Sequence, residues 1–144
     1  MQRYKEIEHT ADIGVEIYGA TLEELFQNAG YALFDTIVDA ETIEPVVAHE
    51  VHVEGKDIET LLMNWLRELL FLFSVEQNVY CVFKVHFAGG HNASHPSKLA
   101  AVLKGEPLDV QKHAFETEIK AITYHQFAVV RQNGHWQARV IFDV

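Results

Sequence analysis

An α+β fold, with two main helices packed against a largely antiparallel β-sheet, is predicted by three features of this 144-residue chain. Two strongly signalled helices fall in its first half, and short alternating apolar runs dominate its second half. Asn133-Gly134 then joins the last two of those runs as a type I′ hairpin, which sets them antiparallel.

Tyr4 to Glu8 reads as a short edge strand. Asp12 to Tyr18 is a fuller one, with Ile13, Val15 and Ile17 alternating against Asp12, Gly14, Glu16 and Tyr18. Thr21 and Glu24 form a T-x-x-E capping box, and Leu22, Leu25, Phe26, Ala29 and Leu33 recur at helical spacing, so the first helix is expected over Thr21 to Phe34. Asp35 and Asp39 follow it as loop carboxylates. Pro45 introduces a strand from Val46 to Glu54, where His49 and His52, three apart, point to opposite faces and cannot share a metal. Asp57 is the N-cap of the second helix. Its apolar positions, from Ile58 through Leu61, Leu62, Trp65, Leu66, Leu69 and Leu70 to Phe73, exceed one stripe and predict the most buried helix of the chain.

Val79 to Ala88 reads as a strand, Gly89 to Lys98 as a His-rich loop, and Leu99 to Leu103 as a strand ended by Gly105 and Pro107. Glu118 to Tyr124 and Gln126 to Arg131 are two strands around a break at His125, and Trp136 to Val144 closes the chain. His86, His91 and His95 are better explained by an exposed loop than by a zinc site, since nothing there fixes their geometry and no Cys joins them.

At this length, with 49% of its residues apolar, the chain supports one well-buried core, so a single domain over residues 1–144 is expected. The formal charge of −10 argues against direct grip on RNA or DNA, which depends on Lys and Arg neutralising phosphates. The first ten residues lack the apolar core of a secretory signal. The longest apolar run, Leu69 to Phe73, is far below the ~20 residues of a membrane span. Cys81 is the only cysteine and His86 falls on the opposite strand face, so a structural thiol in a reducing, cytoplasmic setting is the expectation.

No G-x-G-x-x-G, Walker, G-x-S-x-G, H-E-x-x-H or C-x-x-C signature is present, which weakens an enzymatic reading. What remains is a pair of strand-end aspartates, Asp12 and Asp143. If the first and last long strands are neighbours, the two carboxylates converge near the carboxylate of Val144, and such oxygen ligands suit a hard cation, Ca²⁺ or Mg²⁺. Plain surface carboxylates are the competing explanation. His9 is a candidate to orient Asp12 or to cap the strand entrance. Lys120 is either a solvated edge cation paired with a neighbouring glutamate or a functional one.

Five segments, in order, carry a resemblance over essentially the whole chain: His9-Thr10-Ala11-Asp12-Ile13-Gly14; Thr21 to Phe26 with Ala32-Leu33-Phe34; Leu62 with Trp65 to Leu70; Glu118 to His125; and Val140 to Val144. Together they resemble the archease family. The resemblance implies a small α+β accessory protein of an RtcB-type RNA ligase, the enzyme that joins RNA ends in tRNA splicing and repair. It implies promotion of guanylylation of the ligase's active-site histidine, multiple turnover and wider nucleotide acceptance, with no catalysis by the accessory protein itself. Asp12 and Asp143 match the family's metal-binding carboxylates, with Val144 contributing, while Lys120 matches a position used in ligase activation. Asp39 fits an acidic position near the first helix. The loop Gly89 to Lys98 departs from the family pattern in length and His content. A general chaperone or modulator of nucleic-acid-modifying enzymes is the alternative from another class, and a metal-dependent hydrolase is a third.

Overall fold

The computed structural model describes residues 2–7, 11–88 and 96–144. Seven strands and two long helices follow the order β1 Tyr4–Ile7, β2 Ile13–Gly19, α1 Leu22–Ile37, β3 Val47–Glu54, α2 Ile58–Glu76, β4 Asn78–Ala88, β5 Lys98–Pro107, β6 Ala121–Gln132 and β7 His135–Asp143, with a short 3₁₀ helix, Ala40–Thr42, after α1. The α+β class stands. The strands form two antiparallel sheets rather than one, a four-stranded sheet ordered β1-β2-β7-β6 and a three-stranded sheet ordered β3-β5-β4. α1 lies between them, packed on β2 of the first and β4 of the second, and α2 covers β6.

The alternation in β2 buries Val15 and Ile17, which meet Val140 and Phe142 of β7 in one continuous hydrophobic cluster with the inner faces of both helices. Trp65 fastens the helices together: its ring is fully buried and its Nε1–H donates to the Phe26 carbonyl at 2.9 Å. Thr21 caps α1 as its sequence signature requires, accepting from the Glu24 N–H at 3.1 Å, while Glu24 accepts from the Ala20 N–H at 3.1 Å. Asp57 caps α2 in the same way at Thr60.

Several expectations need correction. α1 runs to Ile37, three residues past Phe34, because Thr36 and Ile37 are buried and extend the core-facing stripe. It is also the more buried helix, with ten of its 16 residues buried against nine of 19 in α2. α1 is sandwiched between two sheets, whereas α2 leaves Phe71 and Val75 exposed. β5 does not stop before Gly105. That glycine pairs with Tyr80 inside the sheet, where any Cβ would collide with the Val79 carbonyl oxygen, so its lack of a side chain permits the strand. Glu118 to Lys120 is not strand, and the two runs around His125 are a single strand, β6, whose register slips between Thr123 and Ala128 where Gln126 takes φ 53°. The Asn133-Gly134 hairpin has both residues at positive φ, 53° and 80°, with Gln132 opposite His135, as a two-residue primed turn demands.

Cys81 sits at a bulge of β4, half-buried, with its sulfur 3.4 Å from the Ile43 carbonyl oxygen. Burial, reinforced by Glu106, pushes its thiol pKa up, which suits an inert structural cysteine. His49 is partly buried and His52 exposed, on opposite faces of β3. Among the described residues, no helix is long and apolar enough to cross a membrane.

Candidate functional site

The register of the four-stranded sheet brings the two terminal aspartates together. β2 pairs with β7 so that Ile13 lies opposite Phe142. Asp12 is one residue before Ile13 and Asp143 one residue after Phe142, so both residues stand at the same end of neighbouring strands whose backbones are about 5 Å apart. Asp143 is exposed and Asp12 half-buried.

Lys120, the residue just before β6, joins this end. Its backbone N–H donates to the Asp143 carbonyl at 2.7 Å, and its neighbour Ala121 opens β6 opposite Asp143. Ile119, 1% exposed, plugs into the core just before it and leaves the Lys120 side chain in solvent. The lysine is therefore held by main chain and a buried anchor, which fixes where its stem begins. Val144 follows Asp143, half-buried and packed on the core cluster. His9 lies outside the described residues, as do His91 and His95 of the loop.

Beside this end opens an acidic recess of about 400 Å³. Glu6, Asp35, Asp39 and Glu116 line it, together with Tyr4 and Ile13. Asp35 is no solvated loop residue: it lies in the last turns of α1, accepts from the Tyr4 hydroxyl at 2.7 Å and accepts from the Ala40 N–H at 3.0 Å. Burial, together with the neighbouring Asp35 carboxylate, raises the Tyr4 pKa and keeps the phenol protonated. Asp39 caps the 3₁₀ helix by accepting from the Glu41 N–H at 3.1 Å, and its own N–H donates to the His113 carbonyl at 2.8 Å. It stands on the recess rather than with the aspartate pair.

Sequence reasoning passed over Tyr4, Glu116, Glu106 and His113. Glu116 enters through its N–H bond to the Ile37 carbonyl at 2.9 Å, a long-range contact with no local signature. The D-x-x-x-H spacing of Asp109 and His113 is the one available trace of the second pair, since His113 Nδ1 accepts from the Asp109 N–H at 3.0 Å.

The donor chemistry of the sheet end suits a divalent cation: two carboxylates and a main-chain oxygen of Val144 are hard ligands. Among the described residues no group of three or more His, Cys, Asp or Glu side chains is placed to hold a metal. A cation there would have Asp12 and Asp143 as its side-chain ligands from these residues, with water or another molecule completing its shell.

Comparison with known proteins agrees with this architecture. The family model described as "Archease protein family (MTH1598/TM1083)" matches residues 4–144. The chain is 40% identical to protein archease of Methanosarcina mazei over 143 residues, covering 99% of this chain and 97% of that protein. It is 41% identical to protein archease of Pyrococcus abyssi over 145 residues, covering all of both. The solution structure of Methanobacterium thermoautotrophicum protein 1598 superposes with a TM-score of 0.81 at 30% identity, over the full length of each chain. The crystal structure of an archease from Thermotoga maritima, described as a possible chaperone, shares the fold with a TM-score of 0.65 at 24% identity, covering 97% of this chain and 96% of that one. With its length matched end to end by these relatives, the chain belongs to the archease family.

Proposed function

We propose that this chain is an accessory activator of an RtcB-type RNA ligase, promoting guanylylation of the ligase and its multiple turnover in tRNA splicing and RNA repair, without being an enzyme itself. The observation that carries the reading is the convergence of Asp12, Asp143 and the Lys120 backbone at one end of three adjacent strands. Asp12 and Asp143 present negative charge at a sheet end that the cationic nucleotide and metal pocket of a ligase complements. Lys120, anchored by Ile119 and the Asp143 carbonyl, brings one cation to the same edge, where a phosphate oxygen is its natural partner. A divalent ion bound by Asp12, Asp143 and Val144, Ca²⁺ or Mg²⁺, supplies a compact positive charge beside those carboxylates. The net charge of −10 fits a protein that meets RNA through its ligase and works in the cytoplasm.

The test is a multiple-turnover assay with the host's own ligase, following guanylylation with wild type, Asp12→Ala, Asp143→Ala and Lys120→Ala. Wild type is expected to stimulate, and each variant to lose most of that stimulation. A wild type that leaves the ligase unchanged, yet suppresses aggregation of an unrelated unfolded client, replaces this reading with that of a general chaperone. Calorimetric titration with Ca²⁺ and Mg²⁺ examines the cation separately: equal heats for wild type and the Asp12→Ala, Asp143→Ala double variant remove the metal from the proposal.

A further inference from the structure

Past Lys120 the surface changes character. Arg67, Phe71, Ser74 and Val75 recur at i, i+4, i+7 and i+8 and form an outward stripe on α2, with the buried Leu70 at its base. Phe71 is 51% and Val75 64% exposed, and Tyr124 on β6 is 58% exposed. This stripe and the start of β6 enclose an open cleft of about 310 Å³, lined by Arg67, Leu70, Phe71, Val75, Lys120 and Ile122 among others. Single exposed apolar residues are ordinary, whereas Phe71 and Val75 share the lining of one cleft with the apolar Leu70 and Ile122, an arrangement suited to docking.

Charge selects the occupant. The chain carries 21 acidic and 11 basic residues, yet the charged residues lining this cleft are both cations, Arg67 and Lys120. Arg67 is held in place over the Tyr124 ring, 5.1 Å from its centroid. A second copy of a chain with net charge −10 is repelled at long range, which disfavours self-association as the purpose of the cleft. The cleft is also continuous with the sheet end, because Lys120 lines one and bonds through its N–H to Asp143 at the other.

We infer that the cleft between α2 and the start of β6 is a second docking surface for the ligase, taking an apolar segment of that partner that carries at least one carboxylate, with Phe71 and Val75 as the apolar contacts and Arg67 as the charged one. This rests on the ligase reading above and adds to it a division of labour. The acidic end meets the partner's cationic pocket, and the cleft supplies apolar grip.

The test compares wild type with Phe71→Ser/Val75→Ser and with Arg67→Glu. All three sites lie on the solvent side of α2, so the core is untouched. Affinity for the ligase is measured by calorimetry, and guanylylation is followed as a function of accessory-protein concentration. Both variants are expected to weaken binding about tenfold and to raise the concentration giving half-maximal stimulation, while the plateau at saturation stays at the wild-type level. Lys120→Ala, which also touches the activating end, lowers the plateau. Wild-type stimulation combined with unchanged affinity in both cleft variants overturns this inference and leaves the ligase reading standing. Absence of any wild-type effect on the ligase overturns both. Sedimentation analysis supplies the remaining outcome: a wild-type dimer that Phe71→Ser/Val75→Ser dissolves assigns the cleft to a second copy and rejects the ligase segment.

Discussion

Glu106 shows how a single side chain can tie together segments distant in the chain. Its Oε2 accepts from the Glu44 N–H at 2.7 Å and from His113 Nε2 at 2.9 Å, and its Oε1 accepts from the Lys112 ammonium at 2.9 Å. His113 is fully buried, and because its Nδ1 accepts from the Asp109 N–H, its proton is assigned to Nε2. Its carbonyl in turn holds Asp39 at the recess. Desolvation is the largest influence on the Glu106 carboxyl and pushes its pKa upward, but the hydrogen bonds from Glu44, Lys112 and His113 together outweigh it and bring the value from 4.5 to about 2. A folded-state pKa below the unfolded one means that this group's stabilisation is complete above about pH 4.5 and is lost as pH falls toward 2. Glu106→Gln is expected to destabilise the fold at pH 7 by about 1–3 kcal/mol. The gap from wild type should close as pH approaches 2, which urea unfolding at stepped pH measures. A gap that stays constant over that range shows that the charge of Glu106 is not what makes its contacts with Glu44, Lys112 and His113 stabilising.

At the scale of elements, local chemistry and tertiary packing make different demands, and two substitutions separate them. Thr21→Ala removes one cap from α1 and leaves the core intact, so it is expected to cost about 1 kcal/mol, which lowers the melting temperature by about 2–4 °C. Gly105→Ala is expected to cost more, because the added methyl meets the Val79 main chain, which can yield only by separating β4 from β5. Thermal unfolding of the two variants ranks them, and a milder Gly105→Ala refutes the close-approach account. Thr21 was readable from sequence because a capping box is local, spanning one turn. Gly105 was misread as a strand breaker because its neighbour Val79 is distant in the chain and only the sheet brings them together.

For the molecule as a whole, charge distribution has a kinetic consequence. With −10 overall and four carboxylates lining a recess beside the Asp12 and Asp143 end, the protein should be steered toward a cationic partner surface. Its association rate with the proposed ligase partner is therefore expected to fall by about tenfold as salt rises from ~20 to ~300 mM, with a much smaller change in dissociation rate. Stopped-flow mixing across that range measures it. A rate indifferent to salt removes electrostatic steering from the account and leaves the apolar cleft as the main source of recognition.

Hydrophobic period, caps and the Asn-Gly turn lie within a few residues of each other, so the chain alone determined both helices, most strands and the final hairpin. Its ordered motifs, from His9-Thr10-Ala11-Asp12 to Phe142-Asp143-Val144, also determined the family. Tertiary structure decided that the strands split into two sheets around α1 and that β2 lies beside β7, which turns two distant aspartates into neighbours. It also decided that Tyr4, Asp35, Asp39 and Glu116 share one recess and that Phe71 and Val75 stay outside the core. The reason is the range of the interactions. Capping and turn formation act between residues already close along the chain, while strand partnership and the depth of a helix face are set by packing among segments that only the folded chain brings together.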